Sequence, residues 1–171
     1  EFTYHEPATL AEASELLLTH EAQVIAGGTD VLVHMKMERG APAHLVSLRR
    51  VPGLAGITAD DAGLTIGAMT TITEIAAHPF IRSHYLALAE ACDAFSTTQV
   101  ATMGTLGGNI ANASPAADSA PALLAYGAQI VICGPESERH LPVGKFFVGP
   151  GRSALRRGEI VTAVVLPKPD R

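Results

Sequence analysis

The sequence predicts a mixed α+β fold made of two lobes. Short apolar runs bounded by glycine and proline alternate with segments whose apolar residues recur at helical spacing. The order is helix–strand–helix–strand up to about residue 50, and a different pattern follows Pro52 and Gly53. This change predicts a small α/β lobe over residues 1–53 and a larger lobe with a mixed or antiparallel sheet and helices over residues 54–171.

The first lobe is predicted to begin with a helix that follows a capping box. Thr9 and Glu12 have the Thr-x-x-Glu spacing in which each side chain bonds the other's backbone. Gly40, with Pro42 just beyond it, predicts the end of a second helix. The predicted elements, in chain order, are a helix at 10–19, a strand at 22–26, a helix at 31–39 and a strand at 44–49.

The second lobe is predicted to contain strands separated by short helices. Residues 60–63 (DDAG) predict a hairpin turn, and Thr71 and Glu74 form a second capping box before a helix that Pro79 ends. Asp118 opens an apolar helix that stops at Gly127. The predicted strands are 55–59, 64–67, 129–133, 138–141 and 160–166, and the predicted helices include 85–94 and 119–126.

Composition excludes several functional classes. The net charge of -5 is opposite to the basic surface typical of nucleic-acid binding. No apolar run reaches the roughly 18 residues of a membrane span, and the first ten residues lack a secretory signal, so the expected location is the cytoplasm. Cys92 and Cys133 lie far apart in apolar surroundings, so we expect two inert buried thiols and no iron–sulfur cluster held by this chain.

The remaining ionisable residues indicate no metal site. The seven histidines are scattered along the sequence without a metal-ligand spacing. The basic residues that cluster are Lys145, Arg152, Arg156 and Arg157. A solvated face is the interpretation we favour for this cluster, and docking of an acidic partner or a pyridine nucleotide is the alternative.

Two glycine-rich segments are the candidate binding elements. Residues 25–32 (IAGGTDVL) join a predicted strand to a helix, where backbone N–H groups bind anions. Taken alone, this segment fits an ordinary turn before a helix capped by Asp30 or Thr29 slightly better. Residues 102–121 hold three glycines among several Asn, Ser and Thr residues and no cation. Such a stretch favours a phosphate-bearing ligand held by backbone N–H groups, whereas an ordinary turn capped by Asp118 leaves its polar residues unexplained.

Together the two segments indicate one extended ligand across the junction of the lobes. Ligand sites favour such junctions, and a dinucleotide has the necessary length. Asp118 is placed to accept a hydrogen bond from a ribose hydroxyl or an adenine amine. The sequence contains no Gly-x-Gly-x-x-Gly fingerprint, no Walker A motif and no Gly-x-Ser-x-Gly elbow.

The segments AGGTDVLVHMK and TMGTLGGNIANASPAAD, at this separation, resemble the FAD-binding subunit of the molybdenum hydroxylases. This is the xanthine dehydrogenase and carbon monoxide dehydrogenase family, with an FAD-binding domain of the PCMH or vanillyl-alcohol-oxidase type. The opening FTYHEPATLAEA and the closing GRSALRRGEIVTAVVLPKP also resemble that family, so the similarity extends over essentially the whole sequence. It implies a further small C-terminal domain, which we expect to be absent because the sequence stops at Arg171.

The resemblance implies a set of FAD-binding residues and no catalytic residue. Residues 24–31 would wrap the diphosphate, and residues 105–109 would contact the diphosphate and ribityl chain from the other side. Asp118 would contact the nucleotide end of FAD. The complete implied set is Val24, Ile25, Ala26, Gly27, Gly28, Thr29, Asp30, Val31, Phe95, Ser96, Thr105, Leu106, Gly107, Gly108, Asn109, Asp118, Ile160 and Val161.

The resemblance also implies a function within a hetero-oligomeric complex. FAD would relay electrons from the [2Fe-2S] clusters of an iron–sulfur subunit to an external acceptor, while a large molybdopterin subunit oxidises the organic substrate. Two alternatives are a cofactor-free assembly module with the same fold and a stand-alone FAD-dependent oxidase.

Overall fold

Two sheets of different kinds organise the chain. The computed structural model describes residues 2–37 and 42–169. The small sheet consists of β1 (Thr3–His5), β2 (Ala22–Ile25) and β3 (His44–Ser47). Its strands are parallel and ordered β1–β3–β2, so β3 lies in the centre. Leu45 and Val46 of β3 are fully buried for this reason.

The large sheet is antiparallel and is built around the last strand of the chain. Its strands are β4 (Ile57–Ala59), β5 (Gly63–Gly67), β6 (Gln129–Cys133), β7 (Glu138–Pro142) and β10 (Ile160–Pro167). The order is β4–β5–β10–β6–β7, with a bulge in β10 between Val161 and Ala163. Two further strands, β8 (Phe147–Gly149) and β9 (Arg152–Ser153), form a separate antiparallel ribbon.

The helices of the described ranges are short and mostly follow the small sheet in sequence. They are α1 (Leu10–Thr19), α2 (Val31–Lys36), α3 (Ile72–Ala77), α4 (Pro79–His84), α5 (Leu86–Asp93), α6 (Thr98–Met103), α7 (Leu106–Asn112), α8 (Ser119–Ala125) and α9 (Val143–Phe146). None of these helices has the length and apolar character needed to cross a bilayer.

Two hydrophobic cores hold these elements together. The larger core packs α3, α5, α7 and α8 against the large sheet, and the Tyr85 hydroxyl donates to the carbonyl of Pro167 at 3.0 Å. The smaller core packs α1 against the small sheet. Leu54 and Ile160 also belong to the smaller core, although Ile160 begins the central strand of the large sheet. The strand β10 therefore connects the two cores.

Most predicted elements are confirmed, and the capping signals are among them. Thr71 and Glu74 form a complete capping box at α3. At α1 the Thr9 hydroxyl accepts from the Glu12 N–H, whereas the Glu12 carboxylate reaches the N–H of Ala8 instead of Thr9. The Asp60 carboxylate accepts from two backbone N–H groups and closes the predicted hairpin turn.

Several predictions differ from the structure. No helix was expected in the glycine-rich segment 102–121 before residue 119, yet α6 ends and α7 lies within it. Pro79 begins α4 in addition to following α3, since its missing N–H is unneeded at a first helical position. The strand β1 was not expected, and it pairs with β3 alone. The predicted helix end at Gly40 lies outside the described residues, and the lobe boundary at residue 53 stays a prediction.

Three histidines that are distant in sequence lie together on the small sheet. The rings of His20 and His44 stack with centroids 4.2 Å apart, and His5 Nε2 lies 3.0 Å from His44 Nδ1. Desolvation by burial, together with His20 and His5, lowers the pKa of His44 below its ordinary value. Three of the seven histidines therefore form a cluster. No group of metal-ligating residues in the described ranges has the geometry to hold a metal ion.

The two cysteines have different environments. Cys92 is buried in the larger core, and this burial, with the nearby Asp93 and Asp118 carboxylates, raises its pKa to about 12. The burial predicted for Cys92 is confirmed, and its low reactivity stays a prediction. Cys133 is only half-buried, so the burial predicted for it is wrong.

The histidine cluster predicts a loss of stability in mild acid. Because the pKa of His44 is lowered in the folded state, the unfolded chain binds more protons as the pH falls below about 6.5. The free energy of unfolding should therefore decrease between pH 7.5 and 5.5, and His44→Gln should make this decrease smaller. Urea unfolding at several pH values measures it. The exposed His34→Gln variant is the control, and equal pH slopes for all three proteins would contradict the prediction.

The different environments of the two thiols predict that a thiol reagent labels Cys133 and not Cys92. At pH 8 a pKa of about 12 leaves only about one thiolate in ten thousand at Cys92. We therefore expect the folded protein to react with a disulfide reagent at one thiol, and Cys133→Ser to abolish this reaction. Cys92→Ser serves as the matched control and should leave it unchanged. A fast reaction that persists in Cys133→Ser would show that Cys92 is accessible.

Candidate functional site

A cavity with a volume of about 440 Å³ opens between the small and the large sheet. This size is within the range of about 300–1,000 Å³ that is usual for small-molecule and cofactor sites. Residues after β2, the start of α7 and the turn before β10 all line it. The cavity therefore lies at the junction where the two glycine-rich segments were expected to meet.

The first glycine-rich segment presents free backbone donors. The N–H groups of Gly27, Gly28, Thr29 and Asp30 donate to no acceptor within the described ranges. Asp30 occupies the N-cap position of α2, but its side chain makes no capping bond. Gly28 has a φ of +78°, which an L side chain rarely adopts. The turn is therefore uncapped, and four adjacent N–H groups remain available to an anion.

The second segment uses its backbone donors internally. The Thr105 hydroxyl caps α7 by accepting from the Gly108 N–H at 3.1 Å. The N–H groups of Leu106 and Gly107 donate to the carbonyls of Thr70 and Ala68, at 3.0 and 2.8 Å. The N–H of residue 109 donates to the carbonyl of residue 105. The N–H groups of residues 106–109 are therefore not free to form the expected anion cradle, and Gly107, Gly108 and Asn109 line the cavity instead.

The polar side chains of this segment also have structural partners. Ser119 donates to Asn109 Oδ1 at 2.6 Å and so joins α8 to α7. The Ser114 hydroxyl accepts from the N–H of Ala116. These bonds account for part of the polar side chains that an ordinary turn had left unexplained.

Close packing leaves no space for a side chain at Gly27 and Gly107. A Cβ on Gly27 would collide with the carbonyl oxygen of Met103, and one on Gly107 would lie 2.5 Å from the Cβ of Ala68. These positions therefore serve backbone contact between segments of the protein. Gly108 is different, because an added Cβ would meet side chains only, the Thr105 hydroxyl at 3.0 Å and the Cβ of Ala26 at 3.7 Å, and the residue lines the cavity.

The cavity collects most of the predicted binding residues. Those that line it are Val24, Ala26, Gly27, Gly28, Thr29, Asp30, Val31, Phe95, Thr105, Gly107, Gly108, Asn109, Ile160 and Val161. Four others lie outside it, namely Ile25, Ser96, Leu106 and Asp118. Leu106 is fully buried in the larger core, and Asp118 is exposed at the start of α8.

The turn before β10 is the main element that the sequence analysis missed. Residues 155–159 line the cavity and include Arg156 and Arg157, which were assigned to a solvated face together with Lys145 and Arg152. The structure divides this cluster, since Lys145 and Arg152 do not line the cavity. The available signal was the GRSALRRGEI segment, in which two arginines directly precede a glycine and the strand.

A bidentate ion pair between Glu159 of this turn and Arg139, which lies outside the cavity lining, stabilises the turn. Arg139 donates from Nε and Nη2 to the two carboxylate oxygens of Glu159, at 2.8 and 2.7 Å. These hydrogen bonds are the largest reason why the pKa of Glu159 lies below its ordinary value and that of Arg139 above it. Glu159 is therefore ionised and matched by a charge that lies outside the cavity lining.

The fold and the cavity define a two-lobed α+β domain of the PCMH type with a cavity between its lobes. The chain belongs to the family described as the FAD binding domain in molybdopterin dehydrogenase, which matches residues 1–169. FAD is the cofactor of this family, and its members are parts of oxidoreductases.

The relatives agree in sequence and in structure. The chain is 37% identical over 167 residues to a xanthine dehydrogenase FAD-binding subunit of Escherichia coli O157:H7, covering 96% of this chain and 57% of that protein. It is 34% identical over 168 residues to the carbon monoxide dehydrogenase medium chain of Hydrogenophaga pseudoflava, covering 97% and 58%. A solved carbon monoxide dehydrogenase from the same organism superposes with a TM-score of 0.95 at 33% identity, covering 99% and 60%. The chain thus spans less than two thirds of the length of these relatives.

The packing at Gly107 predicts that an alanine there lowers the stability of the protein more than an alanine at Gly149. Gly107→Ala should lower the free energy of unfolding by about 1–3 kcal/mol, because the new methyl group overlaps Ala68. This overlap should outweigh the roughly 1 kcal/mol that alanine adds in a helix. Gly149→Ala is the control, since its Cβ would meet only the Cδ of Arg152, at 4.0 Å. Denaturant unfolding measures both, and equal stabilities for the two variants would contradict the packing argument.

Proposed function

We propose that this chain is the FAD-binding part of a molybdenum hydroxylase or dehydrogenase complex. In this function it relays electrons from the [2Fe-2S] clusters of a partner subunit through FAD to an external acceptor. The observation that supports it most directly is that four consecutive residues lining the cavity, 27–30, have backbone N–H groups without an acceptor in the described ranges. Such a row suits an anionic diphosphate, and the volume of the cavity is in the range usual for small-molecule and cofactor sites.

The residues of the chain would bind and orient the cofactor. The N–H groups of residues 27–30 would hold the diphosphate, with the Thr29 hydroxyl beside them. Thr105 and Asn109 would face the ligand from the opposite wall through their side chains, because the N–H groups of α7 are occupied. Phe95 and Val161 would supply apolar contact to the ring system.

When bound, FAD would supply the redox chemistry, since a flavin accepts and passes on electrons. That chemistry demands no acid or base from the chain, and we assign no catalytic residue. The proposed cofactor-binding set is the part of the predicted set that lines the cavity. Four predicted residues lie outside the lining and would act only indirectly, by holding lining residues in place. They are Ile25, Ser96, Leu106 and Asp118.

The proposal includes partner subunits. The relatives are called an FAD-binding subunit and a medium chain, and both terms name one component of an assembly. We propose an iron–sulfur subunit and a large molybdopterin subunit as the partners of this chain. The division into lobes at residues 1–53 and 54–171 and the cytoplasmic location remain predictions.

The binding of FAD is the decisive measurement. We expect the full chain to take up FAD with quenching of flavin fluorescence, and Gly108→Trp to abolish uptake because the indole would fill the cavity. Gly149→Trp places the same side chain outside the cavity lining and should bind FAD like the wild type. Circular dichroism of each variant checks that it is folded.

Two outcomes would contradict the proposed function. A folded full chain that takes up no FAD would favour the cofactor-free assembly module. Oxidation of an organic substrate by the FAD-loaded chain without partner subunits would favour the stand-alone oxidase.

A further inference from the structure

The turn 154–159 joins the two lobes at the cavity. The Ser14 hydroxyl of α1 donates to the carbonyl of Gly158 at 2.7 Å in a buried position. Arg157 Nε donates to the carbonyl of Leu17, one turn further along the same helix, at 3.4 Å. The turn precedes the central strand of the large sheet, yet these two bonds are with the helix of the small sheet. Its conformation therefore depends on both lobes.

Glu159 and Arg139 hold this turn in one conformation. Besides its two bonds to Arg139, the Glu159 carboxylate accepts from the backbone N–H of Arg156 at 2.7 Å. Arg139 Nη2 also donates to the carbonyl of Ala154 at 2.9 Å. The two ends of the turn are thus tied to one ion pair, whose Glu159 side chain is only 8% exposed. Such bidentate, largely buried pairs are strong and specific in direction.

The charges at the cavity are unequal once this pair is considered. The charged residues that line it, within the described ranges, are Asp30, Arg156, Arg157 and Glu159. Glu159 is neutralised by Arg139, whereas neither Arg156 nor Arg157 forms an ion pair with any described residue. The lining therefore includes two arginines, both exposed and without an ion-pair partner among the described residues, against the single carboxylate of Asp30.

The hydrogen-bond donors of the cavity show the same imbalance. The first lobe offers the free N–H groups of residues 27–30, but the N–H groups of residues 106–109 in the second lobe are all occupied. An anion held between the lobes would lack strong donors on one side unless the turn 154–159 supplied them. Guanidinium groups suit this position, because their paired N–H groups match phosphate oxygens.

We propose that Arg156 and Arg157 bind the anionic diphosphate of the dinucleotide, and that Arg139 and Glu159 are the positioning residues that hold them there. This inference rests on the proposed function and adds the donors of the second lobe. It gives Arg156 and Arg157, two of the four residues assigned to a solvated basic face, a function in the binding site.

The test measures FAD affinity of the full chain by fluorescence quenching at several salt concentrations. We expect the double variant Arg156→Gln/Arg157→Gln to raise the Kd about 10- to 100-fold, since charged hydrogen bonds are lost. Its Kd should also depend less on salt, because screening acts on the charges that were removed. Arg152→Gln removes a charge of the same segment outside the cavity lining and should change neither quantity.

A second measurement identifies the part of the ligand that the arginines contact. ADP contains the diphosphate without the flavin, so its competition with FAD should weaken in the double variant by a similar factor. Glu159→Gln should also weaken binding because the turn loses its ties, and Arg139→Lys should restore binding in part relative to Arg139→Gln. A purely structural defect would weaken binding without changing its salt dependence.

The outcomes separate this inference from the proposed function. A wild-type chain that binds no FAD would overturn both. FAD binding by the wild type that is lost in Gly108→Trp but is unchanged in the arginine double variant would overturn the inference alone. Weaker FAD binding with unchanged ADP competition would also overturn it, because the arginines would then contact the flavin side of the ligand.

Discussion

The backbone contact between Gly27 and the carbonyl of Met103 is the constraint on which the site depends. It brings the turn after β2 against the end of α6, with no side chain between them. Any Cβ at residue 27 would push the two segments apart and widen the cavity between the lobes. The same principle applies at Gly107 against Ala68, so the cavity wall is set by contact between main chains. Main-chain packing of this kind is rigid, which suits a site that must hold a large ligand in one orientation.

The distribution of hydrogen bonds gives the two glycine-rich segments different functions. At α7 the Thr105 cap and the carbonyls of Ala68 and Thr70 satisfy the N–H groups, so this segment is complete without a ligand. At the start of α2 the Asp30 side chain makes no cap, and four N–H groups stay unbonded. Polar backbone groups near a cavity are stabilised when they find partners. One segment therefore builds the wall, and the other is left to bind.

Most of the architecture followed from local signals in the sequence. The capping boxes, the Asp60 turn and the apolar runs located most helices and strands, because each signal acts over a few residues. Two of the elements that were missed depend on distant partners. The strand β1 exists because it pairs with β3, and α7 forms within a glycine-rich stretch because the Thr105 cap and neighbouring carbonyls hold its first turn. The cavity lining was predicted at the two glycine-rich segments, where a sequence motif marked it. It was missed at the turn 154–159, which carries no such motif.

The sequence by itself determined the family, the cofactor class and the two segments that meet at the site, since these depend on residue types at fixed spacings. Only the tertiary structure decided which glycines serve packing, which N–H groups remain free and which arginines line the cavity. It also brought His5, His20 and His44 together and placed Arg139 behind Glu159. The physical reason is that packing and hydrogen-bond partners are chosen in space, between residues whose separation in sequence carries no signal.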